Sequence, residues 1–221
     1  KQSLAECERD VDVAIGYGVP HLSLYHLTLE PNTLFHRDPP PLPDDDLAAD
    51  MHTLVIEKLA AAGYQNYETS AYSKSGRACR HNLNYWNFGD YLGIGAGAHG
   101  KISYPDRIVR KVKHKHPEKY MQSAPVGEAS QEIREVSAYE LPFEFMLNAL
   151  RLESGFPVAL FTERTGLGTA AVLPALERAE AKGLIERNHL HVRPTRKGRL
   201  FLNDLLELFL DSGKGLSERR T

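Results

Sequence analysis

Residues 79–101 read CRHNLNYWNFGDYLGIGAGAHGK, and the fold turns on how the glycines of this stretch are taken. Gly95-Ala96-Gly97-Ala98-His99-Gly100 satisfies G-x-G-x-x-G letter for letter. A dinucleotide fingerprint needs a helix directly afterwards, because the pyrophosphate rests on the amino end of that helix. Here Pro105 follows soon after and a basic, strand-like stretch comes next, so a Rossmann crossing is rejected. What remains is a glycine-rich strand, Tyr91 to Gly100, with two open readings. The missing side chains let a flat or bulky ligand approach the backbone, or they let a neighbouring helix pack close.

Just upstream, His81, Asn82, Tyr85 and the only tryptophan, Trp86, crowd together. On a helix, His81 and Tyr85 stand at i and i+4, one above the other on one face. Imidazole is a natural axial ligand for haem iron, and a phenol also serves. The alternative is a capping histidine among core aromatics. Cys79 and His81 alone offer too few ligands for zinc.

Further toward the amino terminus, Leu4, Cys7, Val11 and Ile15 form a helical stripe that ends near Gly16-Tyr17-Gly18. The stripe starts with no lead-in, which suggests a chain that begins partway through a larger fold. His21 to Leu29 reads as a strand whose face of Leu22, Leu24, His26 and Thr28 turns from apolar to polar, as inward faces of β/α barrels do. Asp44-Asp45-Asp46 then starts a helix through Met51, Val55 and Leu59, which Gly63 stops. Tyr64 to Tyr72 reads as a second strand, and this alternating order argues for a parallel sheet.

Downstream, Arg107 to Lys119 carries four lysines, two arginines and two histidines. Such a run reads as a solvated edge strand or as a cradle for carboxylates or phosphates. Ser123-Ala124-Pro125-Val126-Gly127 reads as a linker, so the domains are placed at 1–125 and 126–221. The second resembles a winged helix: a helix with Phe143, Leu147, Leu150 and Arg151, two more near Leu160 to Thr165 and Ala170 to Lys182, then a hairpin turning at Arg187-Asn188 and a closing helix through Leu205 and Phe209. Glu177 and Glu180 offset Arg178 and Lys182 on its would-be recognition helix, so a nucleic-acid partner is disfavoured.

The 221 residues suffice for one large domain, or one medium and one small. A hydrophobic fraction of 42% and a charged fraction of 25% suit a soluble globular protein, and a formal net charge of −2 gives no global pull toward polyanions. No apolar run approaches the roughly 20 residues that span a bilayer, and no signal-peptide pattern appears, so a cytoplasmic location is expected. Two distant cysteines, Cys7 and Cys79, make neither a disulfide framework nor a four-thiolate site.

Along nearly its whole length the chain resembles one family. The residues that carry the likeness are HLSLYHLTLEPNTLF at His21–Phe35, LPDDD at Leu42–Asp46, AAGYQNYETSAYSKSG at Ala61–Gly76 and the stretch at Cys79–Lys101. PFEFMLNALRL at Pro142–Leu152 and KGRLFLNDLLELFL at Lys197–Leu210 complete it. Together they resemble the oxygen-independent coproporphyrinogen III oxidase-like radical SAM family. The string His81, Asn82, x, x, Tyr85, Trp86 is similar to its haem-chaperone branch.

The resemblance implies an α/β fold: the carboxy-terminal part of a partial (β/α) radical SAM barrel, followed by a small α+β winged-helix-like domain. It implies S-adenosylmethionine and a [4Fe-4S] cluster in the full-length protein, with haem as a further ligand. Thr28, Ile94, Gly95 and His99 would flank S-adenosylmethionine, and His81 and Tyr85 would contact haem. The partners implied are haem or porphyrin and haem-accepting respiratory proteins, with peripheral membrane contact only through those partners. The family's C-x-x-x-C-x-x-C loop and its G-G-G-T-P-type strand have no counterpart here, so this chain by itself is expected to hold no cluster and to perform no radical step. No catalytic residue and no metal ligand is assigned to it. The readings that follow are a haem chaperone, a coproporphyrinogen III oxidase or, from the winged-helix pattern alone, a nucleic-acid-binding protein.

Overall fold

The structure, a computed structural model, describes residues 2–210. The chain divides into two compact units, Lys1–Cys79 and Arg80–Thr221. The division expected at residue 125 falls inside the second unit.

In the first unit, helix α1 (Leu4–Gly16) opens with a capping box, in which Ser3 Oγ accepts from the Glu6 N–H and Glu6 accepts from the Ser3 N–H. Its buried residues, Cys7 and Val11, lie on the expected stripe. Strand β1 (His21–Ser23) and the short α2 (Leu34–Arg37) follow. Helix α3 (Asp45–Ala61) starts at the Asp44 cap, whose carboxylate accepts from the Leu47 N–H, and Gly63 at φ 80 ends it. Met51, Val55 and Leu59 of α3 pack with Cys7, Val11, Tyr64 and Tyr72 in one core. Lys58 bridges to Glu8 and Asp12 across the α1–α3 seam at 2.9 and 2.7 Å.

Two readings of this unit need correction. Tyr64 to Tyr72 is a tight hairpin of β2 (Gln65–Glu68) and β3 (Ala71–Ser73), because Thr69-Ser70 reverses the chain. The sheet order is β1-β3-β2, and every pairing among the described residues is antiparallel. The strand expected to reach Leu29 stops at Ser23, since its partner β3 is only three residues long and the last bond is Leu24 N–H to Ser70 O. Thr28 therefore lies in an irregular, exposed segment rather than at the end of a strand.

The second unit opens with α4 (Arg80–Trp86). A three-stranded antiparallel sheet follows, built from β4 (His99–Ser103), β5 (Ile108–Lys113) and β6 (Ser130–Val136), with α5 (Pro117–Ser123) between the last two. Strand β5 lies in the middle of this sheet, which corrects the edge-strand reading of the basic run. Its Ile108 and Val109 are buried, Arg110 is tied to Glu144, and Lys113 reaches Ser130.

Helices α6 (Leu141–Ala149), α7 (Val158–Thr165) and α8 (Leu173–Ala181) with the sheet β7-β9-β8 (Phe156–Pro157, His191–Pro194, Ile185–Arg187) make the winged-helix-like part. Short helices α9 (Arg196–Leu200) and α10 (Leu202–Glu207) replace the single closing helix, broken at Phe201. Phe145, fully buried, packs edge-on against Phe88, Phe156 and Phe161 at centroid distances of 5.7, 5.0 and 5.3 Å. The core face of α6 is Leu141, Phe145, Met146 and Ala149, with Phe143 packed against its margin and Leu147 exposed, because that helix is apolar nearly all round and periodicity alone does not choose the side.

Candidate functional site

Helix α4 brings His81 and Tyr85 together as their spacing requires: the rings meet edge to face with centroids 4.7 Å apart at 64°. His81 is exposed and Tyr85 half-buried. Below Tyr85 lies Tyr91, its ring centroid 4.2 Å away at 31°. The Arg110 Nη1–H donates to the Tyr91 hydroxyl at 2.8 Å, and Arg110 is itself held by Glu144, with Nε and Nη2 on Oε2 at 3.0 and 2.5 Å. Arg134 reaches the other Glu144 oxygen at 3.3 Å. An exposed imidazole is thus supported by a stack that ends in an ion pair on β5 and α6. Burial pushes the Tyr91 hydroxyl above its ordinary pKa, so it stays protonated at neutral pH.

The turn after α4 is fixed from within. Phe88 adopts a left-handed conformation at φ 55, and Gly89 lies so close to Asn84 that a side chain there would collide. The Lys101 ammonium, 2% exposed, donates to Phe88 O, Asp90 Oδ1 and Ser103 Oγ at 3.0 Å each and lies 4.2 Å from the Phe88 ring centroid. Burial pulls the Lys101 pKa down, only partly offset by Asp90. At Asp90 burial pushes the carboxyl up, but donation from the Ser103 N–H, Lys101 and the Ser103 hydroxyl prevails, and its pKa falls below the usual value. The asymmetry is physical: Asp90 is 45% exposed and keeps much of its hydration, whereas Lys101 loses nearly all of its own. Trp86 carries the Arg151 guanidinium over its face at 4.4 Å.

The glycine-rich stretch is a loop rather than a strand: Tyr91 bridges to Lys101, and Gly97 and Ala98 bond to His114 and Lys113, but no continuous strand forms before β4 begins at His99. Both readings of its glycines hold at different positions. Gly93 and Gly100 pack against backbone, with no room for a side chain at Gly93 against His99 O. Gly95, at φ 105, faces open space, and its N–H donates to the Tyr120 hydroxyl at 3.0 Å. Beside it Ile94 is 85% exposed, and His99 is also exposed. A side chain or an extended ligand could approach the backbone at Gly95 without a clash. Cys7, buried, and Cys79, half-buried, do not supply the three thiolates of a cluster, and among the described residues no group of three or more His, Cys, Asp or Glu side chains is placed to hold a metal. Thr28 belongs to the first unit, Ile94, Gly95, His99, His81 and Tyr85 to the second.

Sequence reasoning missed Tyr91, Arg110, Lys101 and Asp90. Tyr91 was legible only as part of the glycine-rich stretch, and Arg110 only as one cation in a basic run; the strand register that joins them has no local signal.

Residues 136–201 match the HemN C-terminal domain family. Over 210 residues the chain is 50% identical to the heme chaperone HemW of Escherichia coli (strain K12), covering 95% of this chain and 54% of that protein. The chain is thus similar to the carboxy-terminal half of haem chaperones related to the coproporphyrinogen III oxidases. HemW of Haemophilus influenzae is 47% identical over 210 residues and HemW of Bacillus subtilis (strain 168) 32% over 216, each covering 95% of this chain, with 54% and 56% of those proteins matched. The chain therefore spans about half the length of the curated relatives it matches, their carboxy-terminal half. Among solved structures, coproporphyrinogen III oxidase (HemN) from Escherichia coli, a radical SAM enzyme, superposes with a TM-score of 0.72 at 16% identity, covering 95% of this chain and 52% of that one. The α/β architecture is thus that of the carboxy-terminal region of this family. No described helix is long and apolar enough to cross a membrane.

Proposed function

We propose that the protein carrying this chain is a haem chaperone, which binds haem at α4 and passes it to haem-requiring respiratory proteins in the cytoplasm or at the membrane face. The observation that supports this reading most is the exposed His81 imidazole, held edge-on by Tyr85 and backed by Tyr91 and Arg110. An imidazole on an open helix face can take one axial position of haem iron while leaving the other free. Such a ligand is exchangeable, which is what a carrier needs and a resident haem site avoids. Tyr85 acts by fixing the ring plane of His81. In the full-length protein, S-adenosylmethionine would lie against Ile94, Gly95 and His99, beside a [4Fe-4S] cluster held by thiolates this chain does not supply. That pair, when bound, supplies one-electron reductive chemistry. The coproporphyrinogen III oxidase reading shares this fold but gives the exposed His81 no task.

The test is haem binding to the 221-residue chain, read by the Soret band. His81→Ala should shift the band and weaken binding, whereas Tyr85→Phe, which keeps the ring, should preserve the band. An unchanged spectrum in His81→Ala would place the iron ligand elsewhere and end this assignment.

A further inference from the structure

Away from α4, the second unit holds an open cleft of about 360 Å³ lined by Glu153, Glu186, Arg193, Thr195, Arg196 and Arg199, among others. Its two carboxylates are already engaged: Glu186 by Arg193 at 2.6 Å and Glu153 by Arg199 at 3.1 Å. Arg196, the first residue of α9, has no ion pair or side-chain hydrogen bond among the described residues. The cleft therefore presents three guanidinium groups to two carboxylates, and one cation is left over. From Lys182 to Arg199 six basic residues face a single acid, Glu186, within a chain of net charge −2. The local field is positive where the whole chain is not.

Both walls of the cleft are fixed before anything binds. Gly155, at φ 71, is pressed against Val192 O and Arg193, so that any side chain there would collide. Gly198 meets Leu184 O in the same way. Thr195 accepts from the Gly198 N–H at 3.0 Å and donates to Gly183 O at 2.7 Å, which locks the turn that carries Arg196. Little backbone order remains to be lost on binding.

We infer that this cleft is an oxyanion site for a small molecule bearing carboxylate or phosphate groups, with Arg196 as the principal contact and Arg193 and Arg199 flanking it. The guanidinium fork matches either group with two parallel hydrogen bonds. The volume lies at the lower end of small-ligand sites, roughly 300–1,000 Å³. A nucleic-acid duplex suits it less: Arg187 is tied to Glu180 at 2.7 Å, and α8 beside the wing carries Glu177 as well. This inference is independent of haem binding.

The experiment is an amide-shift titration of the 221-residue chain at low salt with citrate and, separately, with inorganic phosphate. Saturable shifts confined to residues 153–155 and 193–199 are expected, and Arg196→Gln should weaken them at least about tenfold. The melting temperature without ligand should not change, because Arg196 is exposed and makes no ion pair or side-chain hydrogen bond among the described residues. Arg9→Gln, in the other unit, is the control and should leave binding intact. Saturation by citrate alone assigns a carboxylate ligand, by phosphate alone a phosphorylated one. Absence of saturable shifts with both, or equal affinity in Arg196→Gln, overturns the proposal. So does tight, steeply salt-dependent binding of duplex DNA that is lost in the same variant.

Discussion

Replacing Lys101 by methionine removes one charge and three hydrogen bonds while keeping most of the side chain's volume. The native ammonium is 2% exposed and donates to Phe88 O, Asp90 and Ser103 at 3.0 Å each. Hydrogen bonds to a charged group contribute about 1.5–3 kcal/mol each, and an unpaired buried carbonyl such as Phe88 O costs about 1–3 kcal/mol. Against this, desolvating an ammonium costs several kcal/mol, and the variant is relieved of it. Asp90 is 45% exposed, so its carboxylate regains water and is not left as a buried, uncompensated charge. The terms leave a net loss of about 2 kcal/mol, a fall of about 4–8 °C in melting temperature for a chain of this size. A thermal melt followed by circular dichroism reads it directly. A Lys101→Met variant that melts at or above the parent temperature would refute the reasoning, since desolvation would then outweigh the three bonds.

Two further outcomes follow from the same unit. Phe145→Ala, which empties the space between three other aromatic rings, should destabilise by about 3–5 kcal/mol in chemical denaturation. The folded Asp90 carboxyl titrates below its usual value near 3.8, so its contribution is complete above that pH and is lost as pH falls through the folded value. Asp90→Asn should therefore be less stable than the parent at neutral pH, and the two acid-unfolding curves should converge at the acid end.

Much of the local structure could be read from residue order. Asp44 and Gly63 bracket α3, and the i, i+4 pair on α4 meets as spacing demands. What escaped the reading depends on distant partners. Thr69-Ser70 gives no strong turn signal, so a hairpin passed for one strand, and with it the antiparallel order of β1, β3 and β2 was hidden. The basic run on β5 has the composition of an edge, yet β4 and β6 flank it. The support beneath His81 depends on Tyr91 and Arg110 meeting across that sheet, nineteen positions apart in sequence.

The shared aromatic core also bears on where this protein can be cut. The recognised sequence module begins at Val136, yet the cluster around Phe145 includes Phe88 and Ile108, both upstream of it. Excised alone, the module would expose the surface those two side chains now cover. The matched module is therefore smaller than the core it shares, and the β8–β9 hairpin and α4 should exchange their core amides together.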